Sequence, residues 1–195
     1  MVSDRLRRPA MFTFRTNKLD PDGIAYKLFV PLTAAGANKV YFDLWNGSDK
    51  VIEVASVVPI ASGAVAVVGT LAVDLWLTRT TAVGTGGTGA TLEGTALNAA
   101  TFVRMDTDAP PLKVGVSARF TPGGGATAGA VIGYNSMFTE ETALPTYFKS
   151  NMVEAAQPGI NSKLTIRPGT GIRVVQGAVA SVGNIGFDVL FQVLP

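Results

Sequence analysis

Hydrophobic and polar residues alternate along most of the chain with a period of two, the spacing of half-buried strands. The segment 11–16 alternates in part, Asp20-Pro-Asp-Gly23 makes a turn, and residues 24–30 follow as a strand. Pro31 lacks a backbone donor, which places it at a strand edge or end. Residues 39–45 form the next strand. Asn46-Gly47 is a two-residue hairpin signal, so the return strand is expected over 51–58, interrupted at Pro59. Further strands are predicted over 71–80, 100–105, 112–121, 131–138, 163–167, 172–179 and 185–194. Gly-rich turns at 84–89, 122–125 and 168–171 separate them. Only residues 139–157 read as helical, with Glu140 and Glu141 as an acidic first turn started at Thr139 and Pro145 limiting the helix to short pieces. Strands with Gly/Pro punctuation and no alternating helices predict an all-β fold. The expected architecture is an antiparallel β-sandwich, jelly-roll-like, with one short helical insertion at 139–158. It would be a single domain over 11–195 behind a flexible basic arm at 1–10.

One stretch imitates a membrane span. Residues 54–73 carry no formal charge, yet Pro59, Gly63 and Gly69 break them and Ala, Ser and Thr dilute them. They lack the Leu/Ile/Phe density that drives insertion, and their neighbours read as strands. The N-terminus has three arginines but no apolar run behind them, so no secretory signal is expected. No membrane association is expected, and folding in a reducing cytosol is the simpler reading.

Composition removes most catalytic chemistry. The 195 residues contain no Cys and no His. That excludes disulfide scaffolds, thiolate zinc sites, Cys nucleophiles, Ser-His triads and imidazole acid–base work. Net charge is +2, too small to favour nucleic acid as a partner. With 47% hydrophobic and only 15% charged residues, against a usual ~25% charged, a core is within reach and part of the surface is expected to be covered by a partner.

The remaining motifs are weak. Gly84-Thr-Gly-Gly-Thr-Gly89 matches GxGxxG, but the residues after it are poor helix formers, so a hairpin loop is expected in place of a dinucleotide site. The Asp20–Gly23 run fails as a calcium loop, because Ile24 and Pro31 would stand at ligand positions. Asp106 and Asp108 would share one face of an extended segment and could act as a carboxylate pair; with Pro110 and Pro111 following, a solvated loop entrance is the simpler reading. The chain is expected to be non-enzymatic, with no catalytic residues, cofactor or metal. Tyr41-Phe-Asp-Leu-Trp45 and Ala72-Val-Asp-Leu-Trp76 echo each other. Two equivalent strands, each ending in a core Trp, explain the echo, and no glycan site is expected from the aromatics. Arg5, Arg7, Arg8 and Arg15, together with Tyr147 and Phe148, are the candidate partner contacts.

The blocks 73–88, 164–176 and 183–189, with Val73-Asp-Leu-Trp-Leu-Thr at the first and Gly183-Asn-Ile-Gly-Phe-Asp-Val189 at the last, resemble structural proteins of tailed bacteriophages. The similarity covers the last two-thirds of the chain and lies in strand-and-turn texture, so it transfers no functional residue. It implies a virion β-sandwich, most similar to a capsid decoration (cement) protein. Such a protein would sit on the capsid surface, bind the major capsid protein, assemble in the host cytoplasm and form a homo-oligomer, a trimer by preference. It would stabilise the lattice by bridging neighbouring capsid subunits. The alternative is a tail- or fibre-associated β-sandwich that contacts the host surface or a glycan.

Overall fold

Period-two alternation becomes two packed sheets. The computed structural model describes residues 19, 22–62, 71–96, 98–124, 128–139, 151–156, 163–181 and 183–195. The strands among them are β1 (Ile24–Ala34), β2 (Val40–Asn46), β3 (Ile52–Ser62), β4 (Leu71–Thr80), β5 (Thr88–Gly89), β6 (Thr91–Leu92), β7 (Thr101–Arg104), β8 (Val116–Phe120), β9 (Ala128–Thr139), β10 (Leu164–Ile166), β11 (Thr170–Gln176) and β12 (Asn184–Val193). One helix, α1 (Met152–Ala156), precedes β10. The first sheet runs β10-β3-β12-β1-β7-β6 and the second β5-β8-β2-β11-β4-β9. Without β5–β8, the remaining eight strands alternate between the sheets along the chain except at β4 and β9, which are neighbours in the second sheet. Their orders, β10-β3-β12-β1 and β2-β11-β4-β9, are those of a jelly roll. All pairs are antiparallel except β6 with β7. Segment 81–127 is therefore an insertion between β4 and β9, and it adds two strands to the same side of each sheet.

Inward residues of both sheets meet in one apolar core: Tyr26, Leu28 and Val30 from β1, Phe42 and Leu44 from β2, Val73, Leu75 and Leu77 from β4, and Phe187, Val189 and Phe191 from β12. Bulges change the phase where alternation breaks. Tyr41 is the extra residue between Phe42 and Val40 opposite β11, so Tyr41 and Phe42 both pack on the Phe187 ring at 5.3 and 5.4 Å. The Tyr41 hydroxyl stays satisfied by donating to Gln176 Oε1 at 2.6 Å.

Three local expectations are corrected. Pro31 does not end β1; it lies in a bulge between Val30 and Thr33, beyond the Tyr26–Phe29 stretch that β7 pairs. Gly186 makes room for that bulge, since a methyl there would press on Val30 O. β3 likewise continues through Pro59, past the end of its short neighbour β10. Asn46-Gly47 makes no hairpin, because β2 and β3 belong to different sheets. The buried Asn46 side chain staples the crossover instead, donating from Nδ2 to Lys50 O (2.7 Å) and Ile166 O (3.1 Å) and accepting from Ser48 N at Oδ1.

The helix starts later than Thr139, which closes β9. Asn151 caps it, its Oδ1 accepting from Val153 N at 3.0 Å. The same amide stands in for a strand beside β3: Oδ1 also accepts from Val57 N, and Nδ2 donates to Ala55 O. Met152 and Val153 enter the core. Glu140, Glu141 and Pro145 lie outside the described residues, as does the 1–10 arm.

Candidate functional site

The outer face of the second sheet carries the chemistry that the core does not absorb. In β2 and β4 the leucines of Asp-Leu-Trp, Leu44 and Leu75, point into the core, so alternation turns Asp43, Trp45, Asp74 and Trp76 outward. Both strands pair with β11, one on each side.

The insertion covers the β2 half. β8 extends the sheet beside β2, and the Gly84–Gly89 segment lies against it through Thr85 N to Gly124 O (2.7 Å) and the β5–β8 pairing. No helix follows these glycines; β6 does, which removes the dinucleotide geometry. Asp43 is 1% exposed beneath this strap. Its Oδ1 accepts from Arg119 N at 3.1 Å. Oδ2 is buried without a well-formed hydrogen bond, although the Gly84 amide is near enough to favour the charged form. Burial pushes the Asp43 carboxyl above the usual range, and the backbone amides and the Arg119 and Arg173 charges oppose that rise. Gly84 is obligatory here, because a methyl would overlap Oδ2 and touch Pro122. The glycines fold a strap over a carboxylate and leave no room for a ligand.

The β4 half is open. Trp76 is 37% and Tyr134 44% exposed. They are direct cross-strand partners of β4 and β9, with ring centroids 4.6 Å apart and planes inclined by 52°. Beside them Asp74 faces Ser136 across the same two strands. Asp74 Oδ1 accepts from Tyr134 Oη at 2.7 Å and from Ser136 Oγ at 3.1 Å. Donating to that carboxylate raises the Tyr134 phenol above its ordinary value. Gly177, just after β11, donates its amide to Asp74 O at 2.8 Å, and a methyl on it would crowd Trp76 Nε1.

The expectation that the core claims both tryptophans is thus corrected. Trp76 is exposed, and Trp45 is half-buried against Gly47 and Gly171 on the outer face. Asp106 and Asp108 do not share a face of an extended segment. Asp106 Oδ1 accepts from Asp108 N at 2.9 Å, so the two form an exposed turn. Among the described residues no group of three acidic side chains could hold a metal, and no helix is long and apolar enough to cross a membrane. Arg5, Arg7, Arg8, Arg15, Tyr147 and Phe148 lie outside the described residues.

A cavity of about 210 Å³ lies at one end of the sandwich, between Ile24, Tyr26, Pro110, Pro111 and Val193, with Lys50 and Lys113 at its rim. It falls below the ~300–1,000 Å³ of ordinary ligand clefts, and the Tyr26 hydroxyl inside it is bound to Pro110 O at 2.9 Å. The quartet Asp74, Trp76, Tyr134 and Ser136 was missed because alternation marks a face as outward without saying whether anything covers it. The echo of Asp-Leu-Trp was the available signal. Comparison of the chain with family models, curated proteins and solved structures finds no match.

Proposed function

We propose that this protein is a non-enzymatic virion structural subunit that decorates a phage capsid and stabilises it by bridging neighbouring capsid subunits. The observation that carries the reading is the insertion between β4 and β9. It lengthens both sheets on one side and carries five of the eleven large apolar side chains that are exposed among the described residues: Val83, Leu92, Val103, Met105 and Val114. Met105 is 55% and Val114 89% exposed. Exposed apolar groups on an insertion in a low-charge sandwich suit burial against a partner. The texture of 73–88, 164–176 and 183–189, which resembles tailed-phage structural proteins, points the same way. In this reading the partner is the major capsid protein, the subunit acts as a homo-oligomer, a trimer by preference, and it resides on the capsid surface. Binding only the assembled lattice shifts the assembly equilibrium by mass action, and several attachments per oligomer raise avidity from modest contacts.

The test is occupancy on purified particles. Immunogold over the head, with occupancy lowered at least about tenfold by M105E or V114E, supports the reading; gold confined to the tail overturns it. Deleting residues 1–10 should lower occupancy through loss of Arg5, Arg7 and Arg8. Unchanged occupancy removes the arm from the contact.

A further inference from the structure

We infer that the open half of the second sheet, built from Asp74, Trp76, Tyr134 and Ser136, is a binding site for a neutral saccharide. This inference goes beyond the capsid reading and does not depend on it. The quartet combines the two groups that sugar recognition needs: aromatic surface for the C–H face of a pyranose ring and a fixed acceptor for its hydroxyls. Trp76 and Tyr134 supply the surface. Tyr134 and Ser136 both donate to Asp74 Oδ1, which orients the carboxylate as an acceptor beside the two rings. Hydrogen bonds to an ionised carboxylate are roughly twice as strong as neutral ones.

Geometry and charge narrow the ligand class. A cation held between two rings needs about 3.5–4 Å of contact on each side. With centroids only 4.6 Å apart, Trp76 and Tyr134 touch each other and leave no cage for a lysine, arginine or quaternary ammonium group. What remains is a one-sided platform. Asp74 belongs to none of the ion pairs seen among the described residues, so its charge repels carboxylated or sulfated sugars and accepts neutral ones. Gly177 keeps the rim low beside the indole and the carboxylate.

The chain has two tryptophans, so W45F makes Trp76 the sole indole reporter. Its fluorescence is titrated with glucose, galactose, N-acetylglucosamine, maltose and cellobiose, and in parallel with sialic acid and tetramethylammonium. The expected result is a saturable change with at least one neutral sugar, with a Kd on the order of 1 mM, and roughly tenfold weaker binding in D74N and Y134F at unchanged thermal stability. Saturation-transfer NMR on the unmodified chain, with the same sugars, covers the case in which W45F fails to fold. No saturable response to any neutral sugar up to about 100 mM, or an equal response in D74N, overturns the inference. A response to tetramethylammonium alone also overturns it and assigns the face to a cationic protein side chain.

Discussion

Asp-Leu-Trp stands at 43–45 in β2 and at 74–76 in β4, and the two copies end in opposite circumstances. Both strands flank β11, and both leucines sit in the core. The registers differ: Trp45 lies opposite Gly171 and Trp76 opposite Val175. The larger difference is what lies above them. Over the first copy the insertion folds a glycine strap that buries Asp43; over the second nothing among the described residues covers the Trp76–Tyr134 pair. One carboxylate became a structural anchor and the other an open acceptor. Local sequence decided which face each side chain takes, and a segment distant in the chain decided its role.

The largest effect tests what the copies share. L44A and L75A each remove a fully buried leucine from the same core and should each destabilise by about 2–5 kcal/mol, read from denaturant midpoints. A loss confined to one of them would break the equivalence of the two strands.

A smaller effect tests what separates them. At Gly84 an added methyl meets the Asp43 carboxylate and Pro122, so G84A should cost about 1–3 kcal/mol by overpacking. G177A, beside the second copy, meets Asp74 Cβ at 3.3 Å and Trp76 Nε1 at 3.4 Å. Those neighbours border solvent and can shift by a few tenths of an ångström, so its cost should stay below about 1 kcal/mol. Thermal melts decide it: equal losses would mean that the open face is as tightly packed as the strapped one.

The same contrast explains what was legible in the chain. Period-two patterning located β4 at residues 71–80 and placed β9, β11 and β12 within a few residues of their observed ends, because half-buried strands write their burial into alternate positions. It could not pair them. Asn46-Gly47 has the chemistry of a tight turn, but Ile166, distant in sequence, offers the carbonyl that turns Asn46 into a crossover staple. Pro59 read as a break, and Pro31 as an edge or an end, because how far β7 and β10 reach along their neighbours is a tertiary fact. The all-β sandwich class was readable from texture. The quartet was not, since Trp76 and Trp45 carry the same local signal and differ chiefly in what the insertion covers.

The finest distinction lies in the two aspartates. Burial holds the Asp43 carboxyl above its ordinary range in the folded state. Between the unfolded and folded values the native protein therefore binds more protons than the unfolded chain, and stability falls as pH rises through that window. D43N keeps the shape and removes the buried charge. At neutral pH it should be as stable as the parent or more so. The advantage should shrink on acidification and vanish below the ordinary carboxylate range, where the parent's Asp43 is neutral in both states. D74N, on the open face, should change stability at neutral pH by less than about 0.5 kcal/mol. Paired denaturation curves at several pH values separate the two. A D43N advantage that grows as pH falls would show that Arg119, Arg173 and the strap amides outweigh the cost of burial, and the covered copy would then be an ion-paired site held by its charge.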